Sequence, residues 1–292
     1  MIFINLNSFG LIVKALRKSS LNEQGKPWNR EALGQAVHLT EDQLGRLERG
    51  DRKYIDKQTL TLLVDSFNLT SQERKEFYYA AVGLQDKEIF NQEEPETQLK
   101  NLMESLEKLH LPALIVDVYL DIVATNKAML DLYQITPDLI EAHREKAAGF
   151  NQLYTLYSSR LNLKKLIGPA WKEASLISIL EFRRSSLRYR HTNYFKYLLN
   201  KLLKIKDFKR DWQASHRYKD YCDTAYANFT YKHCFFGLLD YTVTITKINT
   251  MAGELNLILH NPTDPGTLSA FEELANYGGT NVLKLAPWPE KQ

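Results

Sequence analysis

A chain of 292 residues has room for about two domains. Its 44% hydrophobic and 25% charged residues are ordinary for globular protein and exclude disorder for the bulk of the chain. The net charge of +3 hides a segregation along the sequence: +2 over residues 1–83, −7 over 84–157, +11 over 158–235 and −3 over 236–292.

No apolar run approaches the roughly 18 residues of a membrane span, and Met1-Ile-Phe-Ile-Asn lacks the basic opening of a signal peptide. Two cysteines, Cys222 and Cys234, offer no disulfide framework. A cytoplasmic location without membrane contact is expected.

In chain order, a first helix is predicted over 9–18. Trp28 then precedes Asn29, a residue able to accept a bond from an orphan helix-start N–H, and Leu33 sits where a hydrophobic staple to Trp28 would close. After a junction at 37–39 the device repeats: Thr40 and Gln43 form a capping box, and Leu44 opposes Leu39. Leu44 and Leu47 share one face of this second helix while Glu41, Asp42, Arg46 and Arg49 point elsewhere. Two short capped helices around a tight turn are the outline of a helix-turn-helix, whose second helix enters a DNA major groove. A fourth helix is expected over 60–67 and a fifth over 72–81, after a capping box of Thr70 and Glu73.

Residues 8–83, with Leu47-Glu-Arg-Gly50 and the following Asp51-Arg-Lys loop, resemble the lambda repressor/Cro (XRE) family. Three departures stand out. His38 occupies a turn position often held by glycine, which asks for a left-handed backbone; the loop 19–27 is long; and the second helix opens with two acids. The resemblance implies double-stranded DNA as partner, a homodimer, and DNA-facing positions at Arg30, Thr40, Glu41, Asp42, Gln43, Arg46, Arg49, Arg52 and Lys53. Arg30 and Thr40 suit phosphates; Gln43 and Arg46 suit base edges, although the capping box competes for Gln43. The other reading makes these residues the solvated surface of a helical domain that binds protein. At +2 this region is barely basic, so affinity would rest on placed arginines, dimerisation, or the basic segment 158–235. That segment reads either as a second nucleic-acid surface or, preferably, as helices paired with the acidic segment before it.

A linker is expected over 85–97, acidic and broken by Pro95. The next helix runs from about Gln98 to before Pro112, with Leu99, Leu102, Leu106 and Leu109 as one apolar stripe for joining domains or dimerising. Strands follow at 113–120 and 121–125 with a turn near Leu120, and Asn126 opens a helix over 128–133. After a long helical middle, strands are expected at 234–239, 241–248 and 255–260, then a helix at 268–276. An antiparallel sheet with helices on one face can enclose a ligand cavity.

Leu111-Pro-Ala-Leu-Ile-Val-Asp, Ile122-Val-Ala-Thr-Asn-Lys-Ala, the Phe208-x-x-x-Trp212 helix and Gly253-Glu-Leu-Asn-Leu resemble the PAS-like ligand-binding domain of MmyB/MltR-type transcription regulators. The likeness covers residues 98–285 and is weak over 151–189. The expected fold is thus an all-α N-terminal helix-turn-helix domain of about five helices (1–84), then the linker, then a C-terminal α+β PAS-like domain with an antiparallel sheet (98–292). The resemblance implies a small, mostly apolar ligand such as a fatty acid, whose binding alters DNA affinity. Pocket candidates are Asn126, Tyr194, Phe195, Leu198, Phe208 and Trp212, with Arg183 or Arg188 as the anion partner; at helical spacing the aromatics equally fit plain core.

No GxSxG, Walker A, HExxH or GxGxxG occurs, and the seven histidines are scattered, so no catalytic residue, metal ligand or cofactor beyond the apolar ligand is expected. Cys222, Cys234, His216 and His233 match no metal-ligand spacing. The sequence therefore points to a ligand-responsive, nucleoid-associated transcription regulator. Two alternatives stand beside it: a C-terminal peptide or protein receptor using an aromatic groove over 189–226, and a helix bundle that docks protein without binding DNA.

Overall fold

A computed structural model describes residues 2–3, 6–52, 54–82, 94–144, 149–159, 163–218, 227–250, 253–278 and 282–289. The N-terminal region is built from α1 (Leu6–Ser19), α2 (Arg30–Ala36), α3 (Glu41–Arg49), α4 (Lys57–Ser66) and α5 (Ser71–Val82), with a small antiparallel pair, β1 (Ile2–Phe3) and β2 (Tyr54–Ile55), that the sequence did not suggest.

Side chains fix the helix starts. Asn29 Oδ1 accepts from the Ala32 N–H at 2.7 Å, and Thr40 and Gln43 exchange side-chain to backbone bonds of 3.2 and 3.0 Å. Asp56 caps α4 through the Thr59 N–H, so this helix begins earlier than its apolar pattern suggests. His38 adopts φ of 57°, the left-handed backbone its turn position asks for. A Cβ on Gly34 would stand 2.7 Å from the Leu39 carbonyl, so the α2–α3 turn can close only over glycine. Phe9, Leu16, Leu33, Leu44, Leu47 and Phe77 form the buried centre of this region. Beside it Glu48 receives bonds from Arg17 (2.5 Å) and Arg30 (2.9 Å).

The C-terminal region starts with α6 (Pro95–Glu107). Pro95 occupies the first helical turn, where its missing N–H costs nothing, so it opens this helix and the expected linker's last positions, 95–97, are helical. The rest of the expected linker lies mostly outside the described residues. Then come β3 (Ala113–Asp117), β4 (Ile122–Asn126), α7 (Lys127–Leu132), α8 (Pro137–Arg144), α9 (Gln152–Tyr157), α10 (Leu163–Ile167), α11 (Trp171–Ser185), α12 (Asn193–Leu202) and α13 (Lys206–Ala214). The chain closes with β5 (Ala227–His233), β6 (Gly237–Thr250), β7 (Gly253–Pro262), α14 (Pro265–Gly278) and β8 (Val282–Lys284).

The six strands form one antiparallel sheet in the order β5-β6-β7-β3-β4-β8. On one face Leu99 and Leu106 of α6 pack with Ala113, Ile115, Leu255 and Trp288. The α6 stripe thus packs on its own sheet, Leu99 and Leu106 fully and Leu102 and Leu109 in part. The other face carries the helices from α7 onward.

Two strand assignments need correction. Residues 234–236 are the turn of the β5–β6 hairpin, where His233 pairs with Gly237 and Phe235 is 86% exposed. Of the strand expected at 234–239, residues 237–239 do begin β6, whereas the alternating segment 227–233 before the turn is a strand that the apolar run around Phe235 masked. The edge strand β8 was not anticipated either.

Candidate functional site

Between the helical face of the sheet and helices α7 to α11 lies a cavity of about 170 Å3. Alternation along the strands supplies one wall: Asn256, Ile258 and His260 from β7, and Tyr241, Val243 and Ile245 from β6. Met129 and Tyr133 from the α7 end, Gln152 and Thr155 from α9, and Ile177 and Ser178 from α11 close the other side. For scale, an apolar cavity of roughly 150 Å3 is enough to hold benzene.

Most of this wall is apolar, which makes its polar atoms informative. Asn256 is 0% exposed, and neither its Oδ1 nor its Nδ2 has a hydrogen-bond partner among the described residues. Gln152 Nε2 donates to Ser178 Oγ at 3.2 Å and leaves its Oε1 without a partner. Because the Ser178 hydroxyl is itself donated to the Ala174 carbonyl at 2.8 Å, its oxygen is the acceptor, which fixes Gln152 with its carbonyl oxygen free. A buried polar group left unpaired costs about 1–3 kcal/mol, so several of them in one cavity call for a partner that the described residues do not supply.

Four residues further along β7, about 13 Å by strand rise, stands a second polar group. The Tyr133 hydroxyl lies 3.0 Å from that of Tyr241 and 2.9 Å from His260 Nε2. Burial pushes His260 down to about 3 and Tyr241 up to about 12, and it holds Tyr133 well above the ordinary tyrosine value. At neutral pH all three are uncharged. The charged group on the described wall is Glu181, which is bound by Arg184 at 2.5 Å.

None of the residues expected to bind ligand lines this cavity. Asn126 is consumed structurally: its Oδ1 accepts from the Met129 and Ala113 N–H groups, and its Nδ2 donates to the Leu111 carbonyl at 2.8 Å. Phe195 stacks on Phe182 with ring centres 5.6 Å apart, Phe208 stacks on Trp212 at 5.9 Å, and Leu198 is buried with them. Their helical spacing produced a solid aromatic core under α11. Tyr194 gives its hydroxyl to Asp121.

Arg183 and Arg188 face the N-terminal region instead. Arg183 bonds Glu73 of α5 through Nε (3.2 Å) and Nη2 (3.1 Å), Arg190 bonds the same carboxylate, and Arg188 bonds Glu76 at 3.1 Å. Burial would raise the Glu73 carboxyl, but the charges of Arg183 and Arg190 outweigh it and hold the group below the ordinary carboxylate range. Just beyond α11, Leu187 is 0% exposed and packs into the N-terminal core. These arginines of the basic segment therefore pair with α5 and not with the acidic residues 84–157.

On the N-terminal surface Glu41, Asp42, Gln43, Arg46 and Arg49 are exposed along α3. The Gln43 side chain is taken by the Thr40 N–H, Arg49 pairs with Asp51 at 2.8 Å, Arg30 is held by Glu48, and Arg52 donates to the Tyr54 carbonyl. Lys53 lies outside the described residues, as does Cys222. Among the described residues no helix is long and apolar enough to cross a membrane, and no cluster of His, Cys, Asp or Glu is arranged to hold a metal.

Sequence reasoning missed the cavity's polar residues, yet a signal was present. In Leu255-Asn-Leu-Ile-Leu-His, Asn256 and His260 fall on one face of an otherwise apolar strand. Residues 96–274 match the family model described as the MmyB-like transcription regulator ligand binding domain. The comparison with curated proteins returned no match.

Proposed function

The chain belongs to the MmyB-like transcription regulator ligand-binding-domain family, and on that premise we propose that it is a cytoplasmic DNA-binding regulator that senses a small, mostly apolar molecule in the sheet-backed cavity. In this reading α2 and α3 form an XRE-type helix-turn-helix, and a homodimer reads two half-sites. The ligand is bound, not turned over.

The observation that carries the reading is the course of α11. Ala174, Ile177, Ser178 and Glu181 line the cavity; one turn on, Arg183 and Arg184 reach Glu73 and Glu76 of α5, and Leu187 enters the N-terminal core. A shift of this helix on ligand binding is therefore felt by the region that presents α3. The N-terminal region needs only modest intrinsic affinity, since a change in dimer geometry then suffices to switch it. The walled cavity and the packed aromatic core favour a small molecule over a peptide laid in an aromatic groove.

The test is fluorescence anisotropy of the full chain on the DNA upstream of its own gene, across a salt series, before and after addition of a lipid extract. Salt-sensitive binding whose affinity changes with extract supports the proposal. Absence of binding at low salt under both conditions overturns the DNA-reading part.

A further inference from the structure

We propose that the cavity takes an uncharged amphiphile whose head group donates hydrogen bonds, with a primary carboxamide as the closest chemical fit, and not an ionised carboxylate. This rests on the cavity being the ligand site of the regulator.

The cavity's unpartnered donors and acceptors define the head group that fits them. Asn256 offers one donor, Nδ2, and one acceptor, Oδ1, side by side; Gln152 adds a second acceptor, Oε1; all three are unpartnered. A primary carboxamide has one carbonyl and two N–H groups. Its carbonyl accepts from Asn256 Nδ2, one N–H donates to Asn256 Oδ1, and the other donates to Gln152 Oε1. An alcohol satisfies part of the set. A carboxylate brings no donor, so it leaves both carbonyl oxygens facing a negative charge.

Electrostatics point the same way. The titratable groups on the described wall are Glu181 from α11, His260 from β7, Tyr241 from β6 and Tyr133 at the end of α7. Glu181 is an acid, and burial keeps the other three neutral. The arginines expected to hold a fatty-acid head, Arg183 and Arg188, are bound to Glu73 and Glu76 instead. A carboxylate entering this cavity would be desolvated with no cation on the described wall to meet it, which is unfavourable unless it takes up a proton.

Isothermal titration of the full chain with octanamide, octanoate and ethylbenzene at pH 8 tests this. Octanamide is expected to bind at least tenfold more tightly than octanoate, with ethylbenzene reporting the apolar space alone. In wild-type protein the apparent affinity for octanoate should rise about tenfold per pH unit from pH 8 to 6, because only the protonated form is bound. Asn256→Leu should lose at least tenfold for octanamide and keep ethylbenzene; if that variant does not fold, the pH series carries the same distinction. Octanoate binding as tightly as octanamide at pH 8, without pH dependence, overturns the uncharged head group. Failure of all three probes, ethylbenzene included, overturns the cavity as a ligand site.

Discussion

Glu73 and Arg183, 110 residues apart in sequence, meet in a buried pair in which one carboxylate oxygen accepts both the Arg183 Nε and Nη2 bonds. Glu73 also closes the capping box of α5 by accepting from the Thr70 N–H at 2.8 Å. One side chain thus starts a helix of the N-terminal region and anchors the helix that walls the cavity.

Removing Glu73 leaves Arg183 and Arg190 as uncompensated buried charges, a loss that typically costs about 3–5 kcal/mol. Arg183→Ala leaves Glu73 its bond from Arg190, so in urea unfolding it is expected to destabilise the chain by less than that. Glu73→Ala should cost at least as much because it also removes the cap, and the double variant should cost clearly less than the two single losses added together. Additive losses would show that the two side chains do not act as a pair.

The pH profile separates this pair from the cavity. Glu73 has a folded-state value below its ordinary 4.5, so its contribution is complete above pH 4.5 and is lost as pH falls through the folded value. His260 is held neutral down to about 3 against an ordinary 6.5, so the unfolded chain takes up that proton first. Stability should therefore fall as pH drops below 6.5, by up to about 1.4 kcal/mol per unit from this residue. Replacing His260 with Gln should flatten the melting-temperature profile between pH 6.5 and 5; Glu73→Gln should leave that window alone and flatten the profile only below 4.5.

The contrast between α3 and the cavity shows what a sequence displays. Asn29, Thr40 and the Thr70/Glu73 box announce their helices because capping is chemistry between neighbours three residues apart. The antiparallel sheet was legible from alternation in 241–248 and 255–260, whereas β5 hid beside a Phe-rich turn. The cavity wall is a different kind of object. It takes alternate residues from strands and single turns from several helices, so no local pattern gathers it, and most of its members look like core. Conversely, Phe195, Phe208 and Trp212 sit at helical spacing that marks a buried face without saying whether that face packs solid or leaves a space. Only Asn256 and His260, polar on an apolar face, stand out.

Leu187 is a second mechanical link, independent of charge. Truncating a fully buried leucine costs about 2–5 kcal/mol, and here the loss falls on the core around Phe9, Leu47 and Phe77. Leu187→Ala should lower the unfolding free energy by that amount. It should also speed proteolytic cleavage in the N-terminal region before the sheet is attacked, as followed by mass spectrometry of early fragments. Simultaneous cleavage of both regions would argue against a local plug.

The exposed face of α3 yields the sharpest separation of roles under the DNA-binding proposal. Gln43 is bound to the Thr40 backbone, so Gln43→Ala removes half a capping box and should cost about 0.5–2 kcal/mol of stability. Its effect on DNA affinity should be small and equal for cognate and scrambled DNA. Arg46 stands exposed about a turn and a half beyond the helix start. As a base-edge reader it should lose about 1–3 kcal/mol of binding on substitution by Ala, with most of the loss confined to the cognate site. Arg49, turned toward Asp51, should show a smaller and salt-sensitive loss of the kind a phosphate contact gives. Anisotropy titrations of the three variants on cognate and scrambled duplexes at two salt concentrations check this order. A uniform loss across both duplexes for Arg46→Ala would reassign it from reading bases to contacting the backbone.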